Sequence, residues 1–144
     1  MRKLPGRLVL LGHHVAHSLS PRFQNAALRA AGIPLVYEAI DVPPQSLRRT
    51  LAELAEVDAI GNVTIPHKEA VAACCQRLSP LAERCGAVNT FWHEDGHLVA
   101  VLMPCVTDGA PLVPRPAAIR HFHQLALVSH RASDPVPLGT VGNL

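Results

Sequence analysis

The stretch "AIGNVTIPHKEAVAACC", residues 59–75, joins the pattern of a strand directly to that of a helix. In "AIGNVTI" apolar residues alternate with small or polar ones, which is typical of a strand. Pro66 then favours the start of a helix, because its fixed φ suits that position and its missing N–H is not needed there. A strand that leads straight into a helix is the repeating unit of α/β proteins with a largely parallel sheet.

Two more strand–helix pairs precede this unit. "RLVLLG" (7–12) is an apolar run closed by glycine, which predicts a strand buried on both faces. "SPRFQNAALRAAG" (20–32) predicts a helix, "LVYEAIDV" (35–42) a second strand, and "PQSLRRTLAELAEV" (44–57) a second helix. We therefore predict a three-layer α/β sandwich with a mixed, mostly parallel sheet.

The first helix carries both a start signal and an amphipathic pattern. Ser20 is a good N-cap residue and Pro21 suits the first helical position. Helical spacing predicts an apolar face made of Phe23, Ala26, Ala27 and Ala30.

Beyond residue 75 the pattern predicts a short helix and a hairpin. Ser79-Pro80 favours a helical turn that extends through Arg84. "GAVNTFWHEDGHLVAV" (86–101) alternates on both sides of Asp95-Gly96, a dipeptide that favours a tight hairpin turn. These strands could add an antiparallel edge to the sheet.

Composition excludes several classes of protein. A length of 144 residues fits one ordinary domain, and a net charge of +2 is too small to favour nucleic acid or an anionic membrane as a partner. No apolar run approaches the roughly 18 residues of a membrane span, so we expect a cytoplasmic protein. The four cysteines are expected to be buried and reduced. No histidine spacing matches a zinc pattern, so no metal site is predicted.

The chain divides near Ala100. Residues 1–100 are expected to form one domain, whereas residues 101–144 contain no Lys, no Glu and six of the thirteen prolines. Proline interrupts helices and central strands, so we expect this second segment to be irregular or poorly ordered. The loss of pattern suggests a truncated or frame-disrupted product of a longer gene.

Lys68 is a candidate acid/base residue. The chain contains eleven arginines and only two lysines, Lys3 and Lys68, so it uses Arg nearly everywhere else for positive charge. Lys68 falls in the first turn of a predicted helix, where the macrodipole disfavours a cation by roughly 0.3–1 kcal/mol. Arg cannot release its proton in a protein, whereas Lys can be tuned to do so. The alternative is an exposed lysine on a surface helix.

Two further sets of polar residues lie near predicted strand ends. Ser18 and Ser20 have two-residue spacing in the loop before the first helix, where they could hold an anion such as a carboxylate. Ser20 could equally act only as a helix cap. Asn89 lies among apolar strand residues, so its amide needs a partner in a neighbouring loop or in a ligand. Because ligands bind at the carboxyl ends of parallel strands, we expect these groups to form a pocket for a small polyhydroxylated acid.

The motifs "GHHVAHSLSP", "NVTIPHK" and "GAVNT", in this order, resemble the substrate-binding domain of the shikimate dehydrogenase family, which includes quinate/shikimate dehydrogenases. The resemblance covers residues 7–100. It implies NADP-dependent reduction of 3-dehydroshikimate to shikimate, in aromatic amino-acid biosynthesis. It also implies that Ser18 and Ser20 hold the substrate carboxylate, that Thr64 and Asn89 contact the substrate, and that Lys68 contacts substrate and is the acid/base residue.

The sequence departs from the family pattern at several positions. His14 stands where the family usually has proline, and Gln24 where it has histidine. Pro104 stands where the family has the aspartate that partners the catalytic lysine, and Asp108 follows four positions later as an alternative partner. No GxGxxG loop occurs, so we expect the C-terminal dinucleotide-binding domain to be absent, with no cofactor-binding residues.

Three interpretations therefore remain open. The chain could be the substrate-binding part of the dehydrogenase, without activity of its own. It could be a stand-alone module that binds shikimate-like or quinate-like acids, or a degenerate fragment. A homo-oligomer is compatible with the sequence.

Overall fold

The computed structural model describes residues 4–103, which form one mixed sheet with helices on both faces. Pro104, Asp108 and the remainder of the segment predicted to be irregular lie outside the described residues. The six strands are β1 (Arg7–Gly12), β2 (Tyr37–Asp41), β3 (Ala59–Val63), β4 (Arg77–Leu78), β5 (Thr90–Glu94) and β6 (His97–Val101).

Four α-helices and one 3-10 turn connect these strands. None of the helices among residues 4–103 is long and apolar enough to cross a membrane. The elements are α1 (Ser20–Ala30), the 3-10 turn (Pro44–Ser46), α2 (Leu47–Glu56), α3 (Lys68–Cys74) and α4 (Pro80–Cys85).

The strand order across the sheet is β2-β1-β3-β5-β6-β4. Strand β1 is parallel to β2 and β3, β5 is antiparallel to β3 and β6, and β4 is parallel to β6. Five strands therefore run one way and β5 runs the other, which confirms the prediction of a mixed, mostly parallel sheet. The sequence did not predict β4, because two residues are too few to show a period.

Two hydrophobic cores lie on opposite faces of the sheet and confirm the three-layer architecture. Val9, Leu11 and Val63 point to one face, where they join the buried residues of α2, α3 and α4. Leu8 and Leu10 point to the other face, towards α1. Strand β1 is thus buried on both faces, as its continuous apolar run predicts.

Two predicted turns have the expected local chemistry. The Ser79 side chain accepts a hydrogen bond from the Ala82 amide at 3.3 Å, so Ser79 is the N-cap of α4. Asp95 and Gly96 both have positive φ, as the tight turn of a hairpin requires.

The prediction for the start and face of α1 is partly wrong. The helix begins at Ser20 and its N-cap residue is Leu19, so Ser20 is not the cap. Of the predicted apolar face only Ala27 is buried, whereas Phe23 is 40% exposed and the other two alanines are also exposed. The helix instead buries Leu28 beside Ala27.

The hydrogen bonds of Asn25 explain why α1 is rotated from its predicted face. The Asn25 side-chain N–H donates to the Tyr37 carbonyl oxygen at 2.9 Å, and the Tyr37 amide donates to Asn25 Oδ1 at 2.8 Å. These two bonds attach α1 to the first residue of β2. A polar residue, Asn25, therefore determines which face of α1 packs against the sheet. The spacing of apolar residues along the helix does not reveal this.

Strand β3 also ends earlier than its predicted alternation of residues. The strand ends at Val63, so the alternation expected through Ile65 stops early. Val63 is buried, whereas Ile65 is among the most exposed large apolar residues. The Thr64 amide still donates to the Leu11 carbonyl oxygen of β1, and the chain then turns towards α3.

The cysteines are less buried than predicted from the usual burial of free cysteine. Cys74 and Cys75 are half-buried and Cys85 is exposed, so the expectation of burial is wrong for Cys85. All three are free thiols, and Cys105 lies outside the described residues. Burial, with a smaller contribution from Cys74, raises the pKa of the Cys75 thiol to about 11.

Replacing Asn25 with alanine should destabilise the fold by about 2 kcal/mol, because two part-buried hydrogen bonds of about 1 kcal/mol each are lost. The measurement is the free energy of unfolding in urea. Gln24→Ala, at the neighbouring position of the same helix, is the matched control and should change it by less than about 0.5 kcal/mol. Equal losses in the two variants would contradict the role given to Asn25.

Candidate functional site at the carboxyl edge of the sheet

The carboxyl ends of β1, β2 and β3 meet at one edge of the sheet. Gly12 is paired with Asp41 in the β1–β2 ladder, and Leu11 is paired with Val63 in the β1–β3 ladder. Strand β5 runs the opposite way and starts at this edge, where Thr90 is paired with Asn62. The loops that contain the three sequence motifs therefore leave from the same side of the sheet.

Two backbone hydrogen bonds join the loop after β1 to the loop after β3. The Thr64 amide donates to the Leu11 carbonyl oxygen at 2.8 Å, and the His13 amide donates to the Ile65 carbonyl oxygen at 3.1 Å. Between them Gly12 faces the Val15 and Thr64 methyl groups, and a Cβ on Gly12 would clash with both. Glycine is therefore required for the two loops to approach this closely.

Lys68 is the first residue of α3 and is half-buried. Its carbonyl oxygen accepts a hydrogen bond from the Val88 amide at 3.1 Å, which fixes the helix start against the loop before β5. Among residues 4–103 no carboxylate forms an ion pair with the Lys68 ammonium. The ammonium thus lies at a helix N-terminus without a described counter-ion.

His67 holds the end of β2 against the start of α3. Its side chain is only 1% exposed, and its ring Nε2 donates to the Val42 carbonyl oxygen at 2.6 Å. The His67 amide in turn donates to the Thr64 carbonyl oxygen at 3.0 Å. Sequence reasoning missed this role, although a histidine beside the candidate lysine was visible in the motif.

The Asn89 side chain finds its partners in a neighbouring segment of the chain. Its Nδ2 donates to the Met103 carbonyl oxygen at 2.7 Å, and its Oδ1 accepts from the Met103 amide at 2.8 Å and the Thr90 hydroxyl at 3.2 Å. Because an amide oxygen has two lone pairs and an amide nitrogen two N–H groups, one N–H remains for a ligand.

A second polar network, which the sequence did not predict, crosses the sheet beneath this edge. The Tyr37 hydroxyl donates to Asn62 Oδ1 at 2.9 Å. Asn62 Nδ2 then donates to the Asn89 carbonyl oxygen and the Thr90 hydroxyl, both at 3.2 Å. Burial raises the pKa of Tyr37 well above its ordinary value, so this phenol remains a hydrogen-bond donor.

The two serines lie on the turn between β1 and α1. The Ser18 hydroxyl oxygen accepts from the Ser20 amide at 3.3 Å, and the Ser18 amide donates to the Val15 carbonyl oxygen at 3.0 Å. Both serines are half-buried. Since Ser18 uses its oxygen as an acceptor, its O–H hydrogen remains free to donate to an anion.

A histidine pair and a carboxylate meet where β1 and β2 end. His13 Nδ1 lies 2.7 Å from Asp41 Oδ1, and His14 Nδ1 lies 3.3 Å from Asp41 Oδ2. The peptide bond between the two histidines is cis. The hydrogen bond from His13, with a smaller one from His14, holds the pKa of Asp41 below its ordinary value.

The structure thus ties Thr64, Lys68 and Asn89 together through backbone hydrogen bonds of adjacent residues. Ser18 and Ser20 lie on the loop that Gly12 and Val15 hold against Thr64. All five predicted site residues are half-buried.

A cavity of about 250 Å³ lies elsewhere, between α2 and the β5–β6 hairpin. It contains none of the predicted site residues. Its lining includes Leu51, Ala55, Cys74, His93 and Leu98.

The family profile of the shikimate dehydrogenase substrate-binding domain matches residues 10–91, more than half of the sequence. The chain belongs to the shikimate dehydrogenase family. This confirms the resemblance drawn from the three motifs, and it includes the loops that carry Ser18, Thr64, Lys68 and Asn89.

Curated relatives and solved structures agree with this family. An NADP(+) shikimate dehydrogenase of Symbiobacterium thermophilum is 47% identical over 97 residues, covering 66% of this chain and 33% of the relative. One from Methanopyrus kandleri is 51% identical over 90 residues, covering 62% of this chain and 31% of the relative. The chain therefore spans about a third of the length of these relatives.

The fold matches as well. A crystal structure of the Thermus thermophilus shikimate 5-dehydrogenase in complex with shikimate has a TM-score of 0.64 and 41% identity. That match covers 69% of this chain and 38% of the other.

Replacing His67 with alanine should destabilise the fold by about 2–4 kcal/mol, because a buried ring and its hydrogen bond to Val42 are lost and a cavity remains. The measurement is the urea unfolding free energy. His17→Ala removes an exposed histidine of the neighbouring loop and should cost less than about 0.5 kcal/mol. A His67→Ala variant as stable as His17→Ala would show that His67 does not hold this edge together.

Proposed function

We propose that this chain is the substrate-binding part of a shikimate dehydrogenase and that its carboxyl edge binds shikimate or 3-dehydroshikimate. The observation that carries the proposal is the backbone attachment of the Thr64 and Lys68 segments to the loop after β1 and to the loop before β5. That attachment brings hydroxyl, ammonium and amide groups to one edge of the sheet. A small acid with several hydroxyl groups matches this set of donors.

The substrate carboxylate is assigned to Ser18 and Ser20. The free O–H of Ser18 lies on the turn that leads into α1, and Ser20 is the first residue of that helix. The helix N-terminus adds a partial positive charge, which favours an anion. A charge-assisted hydrogen bond contributes roughly 1.5–3 kcal/mol, so two or three suffice to anchor a small acid.

The substrate ring is assigned to Thr64, Asn89 and Lys68. Thr64 offers a half-buried hydroxyl and Asn89 the one amide N–H that Met103 leaves free. Lys68 is the acid/base residue, which gives a proton to the ring oxygen when a ketone becomes an alcohol and takes it back in the reverse reaction. An arginine could hold charge at this point but could not exchange the proton.

The cofactor proposed for the whole enzyme is NADP, which the names of the relatives specify and which would carry the hydride. The described residues do not fit this cofactor. Among residues 4–103 no strand is followed by a GxGxxG loop, and the loop between β1 and α1 (residues 13–19) contains no glycine. We therefore assign substrate binding and proton transfer to this chain, and no hydride step.

The donor groups at the carboxyl edge suit binding alone as well, which is a second candidate function. The chain could act as a stand-alone module that captures shikimate-like or quinate-like acids without redox chemistry. NADPH consumption with 3-dehydroshikimate, measured after a cofactor-binding domain of the family is supplied, distinguishes the two functions. Only the substrate-binding part of a dehydrogenase should then support turnover. A degenerate fragment would bind neither acid.

Isothermal titration calorimetry with shikimate tests the proposed site. Ser18→Ala should weaken binding about 5-fold to 30-fold, which corresponds to the roughly 1–2 kcal/mol of one lost hydrogen bond. Ser46→Ala, which removes a half-buried serine of the 3-10 turn that is not assigned to the substrate, is the matched control and should leave the Kd unchanged within twofold. Absence of shikimate binding, or equal losses in both variants, would refute the proposal.

A further inference from the structure

We propose that His13, His14 and Asp41 form a binding site for a divalent transition-metal ion of the zinc type, at the carboxyl ends of β1 and β2. Each residue offers one ligand atom, and the three atoms lie within 4.8 Å of one another. The proposal does not rest on the binding of shikimate, because it uses none of the residues assigned to the substrate.

The spacing of the ligand atoms is close to what a tetrahedral ion needs. With metal–ligand bonds of roughly 2.0–2.1 Å, the ligand atoms of a tetrahedral zinc site lie about 3.3 Å apart. The two imidazole nitrogens lie 2.7 and 3.3 Å from the oxygens of Asp41. All three ligand atoms lie within 4.8 Å of one another, so each pair is at most about 1.5 Å from the tetrahedral spacing.

The backbone that carries these ligands is fixed from two sides. Gly12 is paired with Asp41 in the β1–β2 ladder, and the Val42 amide donates to the Gly12 carbonyl oxygen at 2.9 Å. The His13 amide is held by the Ile65 carbonyl oxygen on the opposite side. Ion binding thus orders side chains on a preformed backbone, which keeps its entropic cost small.

The donor set selects the class of ion. Imidazole nitrogen suits Zn²⁺, Cu²⁺ and Ni²⁺, whereas Mg²⁺ and Ca²⁺ prefer sites made only of oxygen. Two imidazoles and one carboxylate also occupy only three positions, so water or an anion can complete the coordination. The His14 side chain is 76% exposed and that of Asp41 is 46% exposed, so an ion can reach the cluster from solvent.

No sequence pattern indicates this site, because one ligand is distant along the chain. The two histidines are adjacent, but Asp41 follows them 28 and 27 positions later. No local spacing rule for metal ligands covers such a gap. The parallel pairing of β1 with β2 brings the Asp41 carboxylate next to the two histidines. This proximity becomes visible only once the register of the two strands is known.

Titration of the full chain with Zn²⁺ alone, followed by calorimetry in a non-chelating buffer with a reductant, tests the proposal. We expect the parent protein to bind Zn²⁺, with a Kd that rises at least tenfold in His14→Ala and in Asp41→Asn. Replacing a residue that only hydrogen-bonds a metal ligand typically lowers metal affinity 10-fold to 100-fold, and loss of a ligand itself should cost at least as much. His17→Ala is the matched control, because it removes an exposed histidine of the same loop that lies outside the cluster. Its Kd should stay within twofold of the parent protein.

The outcomes separate this site from zinc bound at the cysteines or elsewhere. Zinc binding that His14→Ala leaves unchanged, or no binding at millimolar Zn²⁺, would overturn the proposal. Because His14 is exposed, His14→Ala should fold normally. That variant therefore tests the proposal even if Asp41→Asn does not fold. Circular dichroism of each variant checks this directly.

Discussion

Two backbone hydrogen bonds, from Thr64 to Leu11 and from His13 to Ile65, hold the carboxyl edge of this domain together. They continue the attachment of β3 to β1 beyond Val63, where the strand itself ends. Since the chain must pass this closely, Gly12 can carry no side chain. The positions of Thr64, Lys68 and the serine turn follow from this contact, because α3 starts four residues after Thr64 and the serine turn follows Gly12.

Polar groups beneath this edge support it together with apolar packing. The bonds of Asn25, Tyr37, Asn62 and Asn89 run from α1 across the sheet to Met103. A buried polar group is costly when it lacks a partner, but in this network the partners are supplied from neighbouring strands. Asn89 is therefore both a structural link and a candidate ligand contact, with one N–H for the second role.

Much of the fold could be predicted from sequence because apolar periodicity and cap residues are local signals. Strand β1, the Ser79 cap and the Asp95-Gly96 turn are examples. The sequence-based predictions were wrong or incomplete where a polar contact between distant residues determines which side chains are buried. Asn25 sets the inward face of α1 through Tyr37, and His67 is buried because Val42 accepts its hydrogen bond. The cluster of His13 with Asp41 depends on strand register, which no local pattern contains.

Membership in the shikimate dehydrogenase family and this shared edge support one central claim, that Ser18, Ser20, Thr64 and Lys68 surround one small acid. A crystal structure of the chain with shikimate measures this most directly. We expect the carboxylate of the ligand within hydrogen-bond distance of both serine hydroxyls, and a ring hydroxyl within that distance of Lys68 Nζ. Shikimate bound away from this edge, or a lysine remote from the ligand that the serines hold, would contradict it.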